Sequence, residues 1–144
     1  MIKILYHKGC LDGLGSAFIA DMAYSGAPEF GPVKCIPVDY GDTRLPQLSR
    51  DDHVLIVDFS YPRDVLVRLE KDVKSLLVLD HHKTAEENLR GLPFAKFDMD
   101  KSGVGLTWEH FYPGVPMPRC FQHIQDRDLW KFEMPATTLI TLAM

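Results

Sequence analysis

Ser75-Leu76-Leu77-Val78-Leu79-Asp80-His81-His82 is an apolar run that ends in a carboxylate and two imidazoles. His53-Val54-Leu55-Ile56-Val57-Asp58 has the same form, and Ile2-Lys3-Ile4-Leu5-Tyr6-His7 is a third short run, closed by a glycine-bearing turn. A strand with one wet face alternates polar and apolar residues. Unbroken runs belong to strands covered on both faces, which means a parallel sheet.

Helical patterns separate these runs. Gly13 to Tyr24 reads as a helix with Leu14, Ala17, Phe18, Ala20 and Met22 on its apolar face, stopped by Ser25-Gly26-Ala27-Pro28. Pro62 stands where a first helical turn starts, and Val65, Leu66 and Leu69 supply the buried side. Thr84 to Leu89 reads as a short helix with Thr84 and Glu87 as a capping box. Gly103 to Phe111 and a segment beginning at Arg119 are further helices. Val33 to Val38 reads as a strand that Pro37 confines to an edge, and Ala95 to Asp98 as another short strand. The expectation is one α/β domain over residues 1–144: a Rossmann-like parallel sheet with helices on both faces.

Composition sets limits on function. The chain has 144 residues, 46% of them hydrophobic and 25% charged, the balance of a folded globular domain. Its 16 basic and 20 acidic residues give a net charge of −4, so stable coating of long nucleic acid is not expected. Three cysteines without a CxxC pair do not make a disulfide scaffold, which points to a reducing cytoplasm. The apolar runs Val54 to Val57 and Leu76 to Leu79 are far short of a membrane span, so no membrane association is expected.

In open parallel sheets ligands bind outside the carboxyl ends of the strands. Those ends carry His7, Cys10 and Asp12 after the first run, Asp58 and Ser60 after the second, and Asp80-His81-His82 after the third. Each residue alone has an ordinary reading as a turn former, a helix cap or a hydrogen-bonded side chain. Gathered on one rim, unpaired carboxylates repel, and a shared cation relieves the repulsion. These donors suit Mn²⁺, Mg²⁺, Fe²⁺ or Zn²⁺. Asp80 is placed to fix the second nitrogen of a ligating imidazole, and Lys83 with Thr84 adds donors for a phosphate.

The sequence resembles the DHH phosphoesterase family on four motifs in order. They are Tyr6-His7-Lys8-Gly9-Cys10-Leu11-Asp12-Gly13, Val57-Asp58-Phe59-Ser60-Tyr61, Leu79-Asp80-His81-His82-Lys83-Thr84 and Gln125-Asp126-Arg127-Asp128-Leu129-Trp130. The similarity is greatest to the branch of nano-RNases and phosphohydrolases. The resemblance implies two metal ions, usually Mn²⁺, that generate a hydroxide for in-line attack at phosphorus. By motif, His7 would bind one metal and Asp12 the other, with Asp58 bridging both. His81 and an aspartate of the fourth motif, Asp128 or alternatively Asp126, would complete the second site. His82 and Lys83 would face the substrate phosphate, and Asp80 would orient His81. The implied substrate is a short oligonucleotide or small nucleotide, with a phosphomonoester or pyrophosphate as the alternative.

The chain departs from the family in two respects. Cys10 stands where many members have an aspartate; it is either a softer ligand, tilting preference toward zinc or iron, or a small buried neighbour of the site. The family's C-terminal substrate-binding domain is expected to be absent, which leaves a non-catalytic domain acting through a partner, or a homodimer sealed by Leu139, Ile140 and Leu142, as rival expectations. His53, His110 and His123 read as packed or surface residues. Gly13-x-Gly15 reads as close backbone approach near a phosphate. Trp108 and Phe111 read as core, and so do Trp130 and Phe132, which could instead stack on a base.

Overall fold

The computed structural model describes residues 1–42 and 44–144. Five strands, β1 (Ile2–His7), β2 (Val33–Val38), β3 (His53–Val57), β4 (Ser75–Asp80) and β5 (Ala95–Phe97), form one sheet in the order β2-β1-β3-β4-β5. Every neighbouring pair is parallel. The helices are α1 (Leu11–Ser25), α2 (Arg63–Asp72), α3 (Lys83–Leu89), α4 (Gly103–Phe111), α5 (Arg119–Asp128) and α6 (Thr137–Leu142).

The unbroken apolar strands have a direct explanation. Leu5, Val54, Ile56, Leu76 and Val78 pack with Leu66 and Leu69 of α2 and Leu89 of α3. The alternate residues Ile2, Ile4, Leu55, Val57 and Leu79 pack with Ala17 and Ala20 of α1. Successive side chains point to opposite faces of a strand, and here both faces are dry. The chain has the expected Rossmann-like α/β fold. β2, which carries Pro37, lies at one edge of the sheet as expected.

Helix α1 corrects one expectation. Leu14, Phe18 and Met22 are exposed, and the buried side is the small-residue face of Gly13, Gly15, Ser16, Ala17 and Ala20, with Asp12 and Ile19. A Cβ at Gly13 would stand 2.5 Å from the carbonyl of His7, and one at Gly15 would stand 2.7 Å from Val104. These glycines let α1 seat against β1 and α4, the close backbone approach expected of them. The capping box at Thr84 also fails: α3 begins at Lys83 with His82 as its N-cap, and no side chain caps it. α6 has no counterpart in the sequence reading, because its apolar residues Leu139 and Leu142 face outward. No helix among the described residues is long and apolar enough to cross a membrane.

Candidate metal centre

The strand order reverses between β1 and β3, so the crevice at their carboxyl ends is the topological switch point of the sheet. His7 ends β1, Asp58 follows β3, and Asp80-His81-His82 end and follow β4. The three expected groups are therefore neighbours on one rim.

Asp58 is the centre of the arrangement. Its backbone takes a left-handed conformation (φ +54°), uncommon for a residue with a side chain, and its N–H donates to the Leu79 carbonyl at 3.0 Å. This sharp turn folds the carboxylate back over the strand ends, 1% exposed. Its Oδ1 lies 3.2 Å from His81 Nε2, while Oδ2 points the other way, 3.7 Å from His7 Nδ1. Oδ2 is buried and has no hydrogen-bond partner among the described residues.

Asp12 and Asp128 close on His81 from the other side. His81 Nε2 is 3.5 Å from Asp12 Oδ2 and 3.4 Å from Asp128 Oδ2. Asp12 is buried and held at the start of α4: Oδ1 accepts from Ser102 Oγ (2.8 Å) and Val104 N (2.9 Å), and Oδ2 from Gly103 N. Its position thus depends on a helix far away in sequence. Among the described residues donor atoms fall into three sets, each within 4.8 Å: His7, Cys10 and Asp58; Asp58, His81 and His82; Asp12, His81 and Asp128.

Asp80 serves a different ring from the expected one. Its Oδ1 accepts from the His81 backbone N–H at 2.8 Å and from His82 Nδ1 at 2.6 Å, and its Oδ2 accepts from Ser60 Oγ at 2.5 Å. It orients the His82 imidazole rather than that of His81. The same bonds order the turn into α3, which leaves Thr84 no capping role.

Asp126 is not a member of the cluster. Its Oδ2 accepts from Thr137 Oγ1 (2.5 Å) and Met134 N (3.1 Å), and its Oδ1 from Glu133 N (2.8 Å). Its main-chain carbonyl accepts from Lys131 N and Phe132 N. Asp126 therefore shapes the loop after α5, and Asp128 is the fourth-motif carboxylate that reaches the centre. His123 is part of the same buried clasp, with Nδ1 2.9 Å from Thr137 Oγ1.

Asp58 and Asp128, crowded in low dielectric, resist ionisation. Burial, then the charge of Asp12, raises Asp58 to about 7 although the His81 hydrogen bond opposes the rise. Burial and Asp12 raise Asp128 to about 6. Burial alone would lower His81, but the hydrogen bond to Asp58 and the charges of Asp12 and Asp128 carry it to about 9. Burial, then Asp58, pushes the Cys10 thiol up to about 12. The cluster thus holds more protons than its groups would in water, which is the condition a cation relieves. The orphaned Asp58 Oδ2, in a carboxylate grouped with the His7 imidazole and the Cys10 thiol, fits a metal ion.

Three contributors were invisible in the sequence. Ser102 and Gly103 hold Asp12, and a Cβ at Gly103 would stand 2.7 Å from Asp58 Cβ, so only glycine fits there. Their one local signal is Ser102-Gly103 opening a helix. Tyr40 sits edge-on to both His7 and His82, with ring centroids 5.1 and 6.1 Å away. Lys83 is exposed on the first residue of α3, the helix that follows the Asp80-His81-His82 segment.

No known protein-family profile matches the chain. It is 38% identical over 147 aligned positions to Uncharacterized protein R106 of Acanthamoeba polyphaga mimivirus, an alignment that takes in 94% of this chain and 35% of that protein. Its fold is similar to the crystal structure of an uncharacterized protein from Helicobacter pylori G27, with a TM-score of 0.67 and 15% identity. That match covers all of this chain and 48% of the other. At that identity the likeness shows the fold alone. The chain spans about a third of the viral relative and about half of the bacterial one.

Proposed function

We propose that this domain is a metal-dependent phosphoesterase of the DHH type, which cleaves phosphodiester bonds in short oligonucleotides or small nucleotides. The observation that carries the reading is the split carboxylate of Asp58. One oxygen faces His81, the other faces His7, and the second of these is buried without a partner.

His7, Cys10 and Asp58 would hold one ion, and Asp58, Asp12, His81 and Asp128 the other. Two manganese ions are proposed, with Mg²⁺, Fe²⁺ and Zn²⁺ as other ions suited to this donor set. Such a pair supplies a nucleophile at neutral pH and charge stabilisation of the attacking and leaving oxygens. The protein's own part is orientation and electrostatics. Asp58, locked by its left-handed turn, ties the two donor groups into one unit. Asp12, pinned to α4, cannot swing away. His82 is half-exposed, its Nδ1 is fixed by Asp80, and that hydrogen bond raises its pKa. It would direct an Nε2 donor toward a phosphoryl oxygen.

The test is turnover of a 5′-phosphorylated dinucleotide, a cyclic dinucleotide, adenosine 3′,5′-bisphosphate and pyrophosphate, each with Mn²⁺ and with chelator. Mn²⁺-dependent cleavage of the diesters supports the reading, and preference for a terminal phosphate favours the monoesterase alternative. A second reading, a binding domain that works through a partner, is favoured by the outward Leu139 (71% exposed) and Leu142 (69%) of α6. Metal binding without turnover of any substrate would select it.

A further inference from the structure

Beside the centre lies a cavity of about 380 Å³ whose walls include Cys10, Asp12, Asp128, Arg127 and Trp130. That size suits a small ligand, and the cavity opens onto donors of both proposed ion positions. Two side chains in it belong to none of the proposed metal-ligand sets.

The first is Trp130. The residue is 79% exposed, against the expectation that it packs in the core. Its backbone is left-handed (φ +56°), as is that of Phe132 (φ +50°). Such conformations are costly for bulky residues and persist only where the surroundings hold them. The Asp126 carbonyl holds them by accepting from Lys131 N and Phe132 N, and the Phe132 ring meets the indole edge-on at 4.9 Å. The loop is thus tied so that a large aromatic face stays in water at the cavity rim.

The second is Arg127. Its guanidinium donates to Thr141 Oγ1 at 3.0 Å, and none of the ion pairs among the described residues includes it, although the cavity it lines contains two carboxylates. Its other N–H groups have no hydrogen-bond partner among the described residues. A planar guanidinium suits phosphate oxygens, and an exposed indole suits the face of a base.

We infer that this cavity is a mononucleotide subsite, in which Trp130 stacks on a nucleobase and Arg127 binds that nucleotide's own, non-scissile phosphate. The inference rests on the reading of the adjoining cluster as a phosphoester site, and it gives that site a preference for base-bearing substrates over inorganic pyrophosphate.

The experiment titrates metal-free protein with 5′-AMP, adenosine and ribose 5-phosphate while following tryptophan fluorescence and, by calorimetry, binding. AMP should quench saturably in the wild type and not in Trp130→Ala, in which the packed Trp108 is the remaining indole. Arg127→Lys and Arg127→Met should weaken AMP about tenfold and bring its affinity down to that of adenosine. Ribose 5-phosphate should bind more weakly than AMP without quenching. Absence of quenching by AMP, or equal quenching in Trp130→Ala, would overturn the assignment and leave the indole to a protein partner. The Mn²⁺-dependent hydrolysis of an abasic 5′-phosphorylated diester by the wild type separates the two readings. Hydrolysis without an AMP effect removes only the subsite. AMP binding without hydrolysis of any diester removes only the phosphoesterase reading.

Discussion

His81 Nε2 stands 3.2 Å from Asp58 Oδ1, on the side of the carboxylate opposite its buried, unpartnered Oδ2. The imidazole satisfies half of Asp58 and leaves the other half for a ligand that the polypeptide does not provide. Burying a carboxylate oxygen without a partner is costly, and a cation between His7, Cys10 and Asp58 offsets that cost.

Protonation gives the first prediction. Asp58 and His81 have folded-state pKa values raised to about 7 and about 9, so these two groups bind more protons in the metal-free fold than in the unfolded chain. The stability they contribute is fully present below their unfolded values and is lost as pH rises through the folded ones. In chelator, the thermal midpoint should fall from about pH 5 to pH 9. Metal binding releases those protons, so the stabilisation by Mn²⁺ should grow over the same interval. Thermal unfolding at pH 5, 7 and 9, with and without Mn²⁺, checks both signs, and a gap that shrinks with pH would contradict the assignment.

Two aspartates in one short motif should behave oppositely. Asp126→Ala removes the acceptor for Glu133, Met134 and Thr137, and should lower the thermal midpoint by several degrees. Asp128→Asn relieves crowding of like charges, so it should leave the metal-free midpoint unchanged or raised while weakening Mn²⁺ binding at least tenfold. Calorimetry and metal titration of both variants read the difference.

Gly103→Ala places a methyl group 2.7 Å from Asp58 Cβ and 2.9 Å from Asp12 Oδ2. Overpacking of this kind costs about 1–3 kcal/mol. Because both neighbours are proposed ligands, metal affinity should fall along with stability, which denaturant melts and Mn²⁺ titration would show.

Cys10→Asp replaces a thiol with a hard oxygen donor in the set with His7 and Asp58. Carboxylates suit manganese and thiolates suit zinc. Competition between the two ions should shift toward Mn²⁺ by about tenfold or more relative to the wild type, and an unchanged ratio would place Cys10 outside the ligand set.

These residues differ in how far the sequence exposes them. β3 with Asp58 and β4 with Asp80-His81-His82 are legible because a fully buried strand and the carboxylate after it are adjacent in sequence. The position of Asp12 against Ser102 and Gly103 is not, since it joins segments from opposite ends of the chain. The choice between Asp126 and Asp128 is equally hidden: both sit in the last turn of α5, and only the course of the following loop shows which one turns inward. Trp130 misleads because burial is the usual fate of a tryptophan, and the left-handed turn that exposes it leaves no glycine in the sequence. Leu14, Phe18 and Met22 mislead similarly, because the close approach of α1 to β1 requires small residues on the inner face.

The most direct test of the account is anomalous X-ray diffraction from crystals of the protein grown with Mn²⁺, beside Asp58→Asn. The account predicts two anomalous peaks in the wild type, one bounded by His7 and Cys10 and the other by Asp12, His81 and Asp128, both in contact with the Asp58 carboxylate. Asp58→Asn should lose at least one of them. A single ion that does not touch Asp58, or an unchanged pair of peaks in the variant, would contradict the central claim.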